Sequence, residues 1–305
     1  MSRDLRRSLL AALLSVVAVA GLWAQQPVPI DWSADDSARI AFITAHGRAY
    51  RGEGIVLWAP TDSLDAQWLP AFTDSLAHAV TSLRALIGGP YPWQRIGGRP
   101  VEFYLSPGRF VSHASGRGAV FLSLNSVHQG YSPFLHEASH ELLAAPFPFF
   151  PYEYADSVEA ARVAAGFPLW LSEGLADVLA QSVAESTGFR EGDVFNVGGL
   201  ARSDSVCAAR LNASPHGQEI VAKVGRPGRL MALFTTDRAQ VAPAYYACSQ
   251  AFTRYLVRRI GVRTTVTLFA RAGSATWLED VAAAAGEPLE ELRRRWLQSI
   301  GIHND

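Results

Sequence analysis

Lysine is almost absent from this chain of 305 residues, since Lys223 is the only lysine among 27 basic side chains. Mechanisms that need a lysine nucleophile therefore have a single candidate. An excess of either charge is also missing, because acidic and basic residues nearly balance to a net charge of −1. Proteins that bind nucleic acid carry basic stripes, so this composition argues against a nucleic-acid partner.

Long apolar runs are missing after the N-terminus, so no later segment is predicted to cross a membrane. Residues 8–24 are uncharged and mostly apolar, and Arg3, Arg6 and Arg7 precede them. A basic start followed by a short apolar run and small residues is typical of a secretory signal. We therefore predict a signal peptide in residues 1–24, with an uncleaved membrane anchor as the alternative. Either one places the rest of the chain outside the cytoplasm, with membrane attachment only through that anchor.

Cysteine is scarce as well, with only Cys207 and Cys248 present. In an oxidising compartment the two can pair, and two buried free thiols are the alternative.

Apolar residues make up 49% of the chain and charged residues 18%. These proportions indicate a well-packed globular protein and argue against a disordered one.

Apolar residues recur with strand and helix periods along the chain. Strands are predicted in "GIVLWAP", "RPVEFYLSP" and "GAVFLSLNS", with a long helix between the first two. The predicted fold is α+β: a small mixed or antiparallel N-terminal sheet with a helix, packed on a mostly helical C-terminal half. We assign residues 25–50 to a linker and lead-in, 51–130 to the N-terminal α+β part, and 131–305 to the helical part.

The helical part is predicted to contain most of the chain's helices. Ser132 is expected to cap the first of them, with Pro133 at its first position. The predicted helical segments are "SPFLHEASHELLAA", "DSVEAARVAAG", "PLWLSEGLADVLAQSVAEST", "RPGRLMALFTT", "PAYYACSQAFTRYLVRRIG", "TWLEDVAAAAGE" and "PLEELRRRWLQSIG". The stretch 188–240 is the least regular part.

The segment "FLHEASHELLAA" contains two histidines four residues apart. On a helix His136 and His140 would point the same way, about one turn apart, which suits two imidazoles on one metal ion. Glu137 is rotated by about 100° from His136 and can act as general base on a water beside the metal. Apolar flanks indicate a buried helix, where two histidines without a metal would need other partners for their ring nitrogens.

A catalytic zinc site takes three protein ligands and leaves one position open. The segment "WLSEGLADVLA" supplies Glu173 on a second apolar helix, and we predict it as the third ligand. Asp177 lies one turn further along the same face. Histidines that bind metals usually donate their second N–H to a carboxylate or carbonyl, and Asp177 is predicted to accept that bond.

"HEASH" followed by "SEGLAD" resembles the gluzincin zinc metallopeptidases, and "WLSEGLA" is similar to their peptidase MA-like group. The likeness covers roughly residues 115–300, including "YACSQAFTRYLVRRIG" and "PLEELRRRWL". It implies a zincin-like active-site helix, Zn²⁺ as cofactor and a peptide or protein substrate. It also implies that Tyr246 donates to the oxyanion; Tyr245 competes for this role, and a packed core tyrosine is the alternative for both.

Several other residues near the motif have candidate roles. His113 and His128 are candidates for the oxyanion, with loop histidines of no special function as the alternative. Glu141 is predicted to support the site or lie on the surface without binding the metal. Residues 118–125 are expected to form an edge strand that pairs with substrate, with an internal strand as the alternative.

The chain also departs from the better-known relatives of that family. About 32 residues separate His140 from Glu173, more than in thermolysin-like enzymes, and the "GxMxN" motif of related aminopeptidases is absent. We expect the extra residues to lie beside the cleft and shape it. The predicted function is an exported zinc metallopeptidase. The alternatives are a non-catalytic, zinc-retaining binding domain and an amidase-like hydrolase acting on cell-wall peptides.

Overall fold

The computed structural model describes residues 34–61, 67–88, 99–108, 110–116, 118–143, 166–192, 199–228 and 238–302. In this part of the chain a mixed sheet is followed by a larger helical region, so the predicted α+β class is confirmed. The strands are β1 (Gly47–Gly52), β2 (Ile55–Pro60), β3 (Val101–Ser106), β4 (His113–Ala114) and β5 (Ala119–Ser123). Their order across the sheet is β1-β2-β3-β5-β4.

The three central strands of the sheet are parallel, and the two outer strands are antiparallel to their neighbours. Helix α1 (Ala34–His46) precedes the sheet, α2 (Trp68–Ile87) lies between β2 and β3 in the chain, and α3 (Leu124–Gln129) follows β5. A helical connection between parallel strands is expected, because a tight turn cannot join them.

The helical region begins with α4 (Phe134–Leu142) and α5 (Leu169–Thr187). The helices that follow in the described residues are α6 (Ser203–Ala213), α7 (Gly217–Lys223), α8 (Arg238–Ile260), α9 (Val262–Ala270), α10 (Trp277–Ala285) and α11 (Leu289–Ser299). Helix α4 packs on α5 and beside β4 and β5, and α5 packs along α8. The two helices that carry the predicted metal ligands are therefore direct neighbours.

Strand side chains alternate between the two faces of the sheet, and helices cover both faces. On one face, α1 inserts Ile43 against Tyr104 and Phe121. On the other face, residues such as Phe103 and Val120 join the main core with α2, α4, α5 and α8. Helix α2 buries apolar residues at helical spacing and ends at Gly88, whose φ of 75° favours glycine.

Helices α5 and α8 approach each other closely at Gly174. A Cβ at this position would lie 2.2 Å from the Thr253 hydroxyl oxygen and 2.4 Å from the Ser249 carbonyl oxygen. Only glycine leaves room for the backbone of α8 there. Because Gly174 follows Glu173 in the chain, this contact places the predicted ligand directly at the crossing of the two helices.

Several elements differ from the sequence-based expectations. We predicted no helix before β2, but residues 34–46 form α1, and α6 and α7 lie in the stretch that we expected to be least regular. The edge-strand prediction for residues 118–125 was wrong. Strand β5 lies between β3 and β4, because His113 and Ala114 pair with Phe121 and Val120, and the chain becomes helical from Leu124.

Some predictions fall outside the described residues. They are the signal or anchor in residues 1–24, the start of the linker, the helix in "DSVEAARVAAG" up to residue 165, and "RPGRLMALFTT" from residue 229 onward. Among the helices that the structure describes, none combines the length and apolar character of a membrane span.

Candidate metal centre

Helix α4 presents the two histidines of the motif side by side. Its apolar residues Leu135, Ala138 and Leu142 belong to the main core, which fixes the rotation of the helix about its axis. His136 and His140 are then neighbours one turn apart, and their Nε2 atoms lie 3.1 Å from each other. The predicted helical spacing is therefore realised in the structure.

Helix α5 brings the third predicted ligand to the same point. The Glu173 Oε2 atom lies 3.5 Å from the Nε2 atom of His136 and 3.6 Å from that of His140. In a tetrahedral zinc site, metal–ligand bonds of about 2.0–2.1 Å place two ligand atoms roughly 3.3–3.4 Å apart. The three atoms thus have separations that fit one divalent ion, and these three residues form a potential metal-binding group.

Asp177 holds the outer nitrogen of His136, as the sequence predicts. The His136 Nδ1–H donates to Asp177 Oδ1 over 2.6 Å. Because this bond places the proton on Nδ1, the Nε2 atom of a neutral ring keeps its lone pair toward His140 and Glu173. Burial alone would lower the pKa of His136, but the charge and hydrogen bond of Asp177 outweigh it and raise that pKa well above its usual value.

Two carboxylates of the site differ in their electrostatic environment. Burial would raise the pKa of Glu173, but His140 and His136 overcome this effect and hold the pKa well below its ordinary value. Burial raises the pKa of Glu137, and the two histidines offset only part of the rise. A low pKa suits a ligand, and a raised pKa suits a group that must take and release a proton.

Glu137 is buried, with 7% of its surface exposed, and lies within electrostatic range of both histidines and of Glu173. Within the described residues its carboxylate forms no hydrogen bond or ion pair. A general base has to stay available for water, so this environment is compatible with the predicted role.

The two candidate tyrosines lie in α8, the helix that packs along α5. Tyr245 is fully buried, and its pKa is raised by burial and by the nearby Tyr246 and Glu173. The ring of Tyr246 packs edge-on against that of Tyr245, with 5.9 Å between centroids. Both tyrosines are therefore close to the helix of the third ligand, and the oxyanion role of Tyr246 stays a prediction.

His113 is held by contacts that leave neither ring nitrogen available to an oxyanion. Its Nδ1 lies 3.0 Å from the Val111 carbonyl oxygen and its Nε2 lies 3.1 Å from Asp36 Oδ1. Both partners are acceptors, so these contacts favour the doubly protonated ring and raise the pKa of His113 above its ordinary value, although burial opposes the rise. It connects β4 to α1. His128 lies near the end of α3 with an exposed side chain.

Glu141 is neither a metal ligand nor a surface residue. Its buried carboxylate accepts hydrogen bonds from the Gly116 N–H over 2.7 Å, the Gly118 N–H over 2.6 Å and the Ser115 hydroxyl over 3.0 Å. Burial raises its pKa to about 7 although these donors lower it. Glu141 therefore attaches the connection between β4 and β5 to α4, the helix that carries the two predicted histidine ligands.

Sequence analysis missed Glu191, which caps the start of α4. Its carboxylate accepts the Leu135 N–H over 2.9 Å and the His136 N–H over 3.0 Å. Ser132, the predicted cap, has a buried hydroxyl with no hydrogen-bond partner among the described residues, and Pro133 occupies the cap position. Because Glu191 is more than 50 residues away in the chain, no local pattern could have revealed this contact.

Comparisons of the chain with protein-family models, curated proteins and solved structures find no match. The resemblance to gluzincins therefore stays an expectation from the sequence segments that carry it.

Proposed function

We propose that this protein is an exported zinc-dependent metallopeptidase of gluzincin type. The observation that carries the proposal is the convergence of three ligand atoms, from His136, His140 and Glu173, with mutual separations of 3.1–3.6 Å. These are two imidazole nitrogens and one carboxylate oxygen, the donor set of many hydrolytic zinc sites. Helices α4 and α5, which pack against each other, carry them.

A bound zinc ion would supply Lewis acidity that activates water and polarises an amide carbonyl. Glu137 would accept the proton of the attacking water and later deliver it to the leaving amine, which its position next to the ligands and its raised pKa favour. Asp177 would keep the His136 ring in the ligating tautomer and orientation. We assign the oxyanion contact to Tyr246, with Tyr245 as its competitor.

The proposed compartment has support beyond the N-terminal sequence. Cys207 and Cys248 form a disulfide between α6 and α8, and disulfides persist mainly in oxidising compartments outside the cytoplasm. An exported hydrolase with this site would act on peptides or proteins there.

Replacing Glu137 by glutamine tests the catalytic part of the proposal. Zinc content and cleavage of a peptide library should be measured together on the wild type and Glu137→Gln. We expect the variant to keep zinc and to lose hydrolysis by a factor of about 10² or more, because the general base is removed. Equal hydrolysis by both proteins would remove Glu137 from the mechanism.

The same assay separates the alternatives. Cleavage of peptidoglycan fragments without cleavage of the peptide library would favour the amidase-like hydrolase. A protein that binds zinc and cleaves neither class would instead be a zinc-retaining binding domain.

A further inference from the structure

We propose that Glu191 is a positioning residue of the metal centre, fixing the turn of α4 that carries His136 through hydrogen bonds to the backbone of Leu135 and His136. This inference rests on the metal site of the proposed function. It concerns how the chain holds that site ready for the ion.

The start of α4 needs an external acceptor. The first backbone N–H groups of a helix have no partner within the helix, and a side chain at the cap position usually accepts those of the second and third residues. In α4 the cap position is Pro133, which offers no side-chain acceptor. The second and third residues are Leu135 and His136, and Glu191 accepts both of their N–H groups.

Glu191 is itself held in place by its surroundings. The Gly192 N–H donates to the Ser132 carbonyl oxygen over 3.0 Å. A Cβ on Gly192 would lie 2.4 Å from the backbone of Tyr131 and Ser132, so the two chain segments are in direct backbone contact. On the preceding side, the Phe189 ring packs against Phe134, the first residue of α4, with centroids 6.2 Å apart.

Helix α5 and the segment that follows it therefore contact His136 at three points. Glu173 and Asp177, both on α5, contact the Nε2 and Nδ1 sides of the ring. Glu191, just beyond the end of α5, holds the backbone N–H of the same residue. A serine at the cap position would accept an N–H of α4 without any link to α5. A carboxylate from the segment after α5 instead fixes the position of α4 relative to α5.

A buried carboxylate costs free energy unless its charge is compensated. Here burial raises the pKa of Glu191 to about 8, and the two backbone donors of α4 offset only part of that rise. These donors act only if the first turn of α4 keeps its present position. The carboxylate thus favours the arrangement in which His136 faces His140 and Glu173.

The test is the zinc affinity of Glu191→Ala, which removes both acceptor oxygens. It is measured with Zn²⁺ as the only added metal and a chromogenic chelator that competes for it. Loss of an outer-shell partner typically weakens metal binding by 10–100-fold, and we expect about tenfold. Glu141→Ala is the matched control, because Glu141 is a buried carboxylate that attaches the same helix to a loop without contacting the backbone of a ligand. It should bind zinc within about threefold of the wild type at a temperature where circular dichroism shows both variants folded.

Two results would overturn the proposal: wild-type zinc affinity in Glu191→Ala, or an equal loss in both variants. If Glu191→Ala does not fold, Glu191→Asp provides the second variant, because it keeps the carboxyl group but is one methylene too short to reach both N–H groups. A wild type that binds no zinc would instead refute the metal site itself, so the two failures can be told apart.

Amide hydrogen exchange of the metal-free wild type provides a measurement that needs no variant. If Glu191 prepares the site before zinc arrives, the amides of Leu135 and His136 exchange slowly without metal, unlike the fraying first turn of an uncapped helix. Rapid exchange that slows only when zinc is added would show that the ion organises the turn, and would contradict the proposal.

Discussion

Carboxylates reach His136 from three directions in the described residues: two contact its ring and one accepts its backbone N–H. The Nδ1 contact with Asp177 is the shortest of these at 2.6 Å. Outer contacts of this kind decide ring orientation and which nitrogen keeps its lone pair. The affinity of the site for zinc should therefore depend on residues that never touch the ion.

Asp177→Ala should weaken zinc binding by about tenfold or more, because the His136 ring loses the acceptor that orients it. Asp177→Asn should lose less, since its amide oxygen can still accept the Nδ1–H. Chelator competition on both variants gives the comparison. Equal affinity of wild type and Asp177→Ala would show that Asp177 does not support the ligand.

His113 gives a prediction about pH. Burial would lower its pKa, but the hydrogen bonds to Asp36 and Val111 and the charges of Asp36 and Glu137 raise it above its ordinary value; Arg39, paired with Asp36, is the nearby cation. Because the folded-state pKa exceeds the unfolded value of about 6.5, this contribution to stability is complete below that pH. It is lost as pH rises through the folded-state pKa.

The difference in free energy of unfolding between the wild type and His113→Gln should therefore be largest near pH 6 and shrink toward pH 9. Urea unfolding at several pH values measures it. A difference that stays constant across this range would mean that the imidazolium contributes nothing through its charge.

The site residues divide into those that local sequence reveals and those that it does not. His136, His140, Glu173 and Asp177 were predictable because each pair shares a helix face at a spacing of four residues. Glu191 and Glu141 act on backbone groups far away in the chain, and a lone glutamate shows no sign of such a partner. The role of His113 was likewise hidden, because its acceptor Asp36 lies in a helix that we did not predict.

At the scale of elements, the crossing of α5 and α8 determines where Glu173 lies. Gly174→Ala would place a methyl group 2.2 Å from the Thr253 hydroxyl oxygen and 2.4 Å from a backbone oxygen of α8. Overpacking of this kind costs about 1–3 kcal/mol. We therefore expect a lower midpoint of urea unfolding together with weaker zinc binding.

Gly166→Ala is the control for this substitution, because among the described residues a Cβ there would meet no atom closer than 3.9 Å. It should leave both the unfolding midpoint and the zinc affinity close to wild type. If Gly174→Ala behaved in the same way, the close packing of α5 on α8 would not be needed to hold the third ligand.

Elements with strong periodic burial were predictable, and exposed or very short ones were not. Helices α2, α5 and α11 show apolar residues at helical spacing, and α2 and α5 end at glycines. Helix α1 buries only Ile43 fully, so too few apolar positions mark it as a helix in the sequence. Strand β4 has two residues, too few for any pattern, and its pairing with β5 is what made the edge-strand prediction wrong.

At the scale of the whole molecule, the disulfide connects distant parts of the helical region. Cys207 and Cys248 are both fully buried and 41 residues apart in the chain. Cross-links of this kind typically stabilise a protein by about 2–4 kcal/mol. The double variant Cys207→Ala/Cys248→Ala should lose about this free energy of unfolding, measured with urea.

Thiol titration of the wild type, unfolded without reductant, gives a direct control for the disulfide and should detect no free thiol. Two titratable thiols, or an unchanged free energy of unfolding in the double variant, would contradict the cross-link as a source of stability.

Zinc content of the purified full chain tests the central claim most directly. It should be measured by mass spectrometry on the wild type, His140→Ala, Glu173→Gln and the control Glu141→Gln. We expect about one zinc per chain in the wild type and the control, and a large loss in the two ligand variants, because two ligands no longer hold the ion tightly. Equal zinc in all four proteins, or none in the wild type, would contradict a metal centre formed by His136, His140 and Glu173.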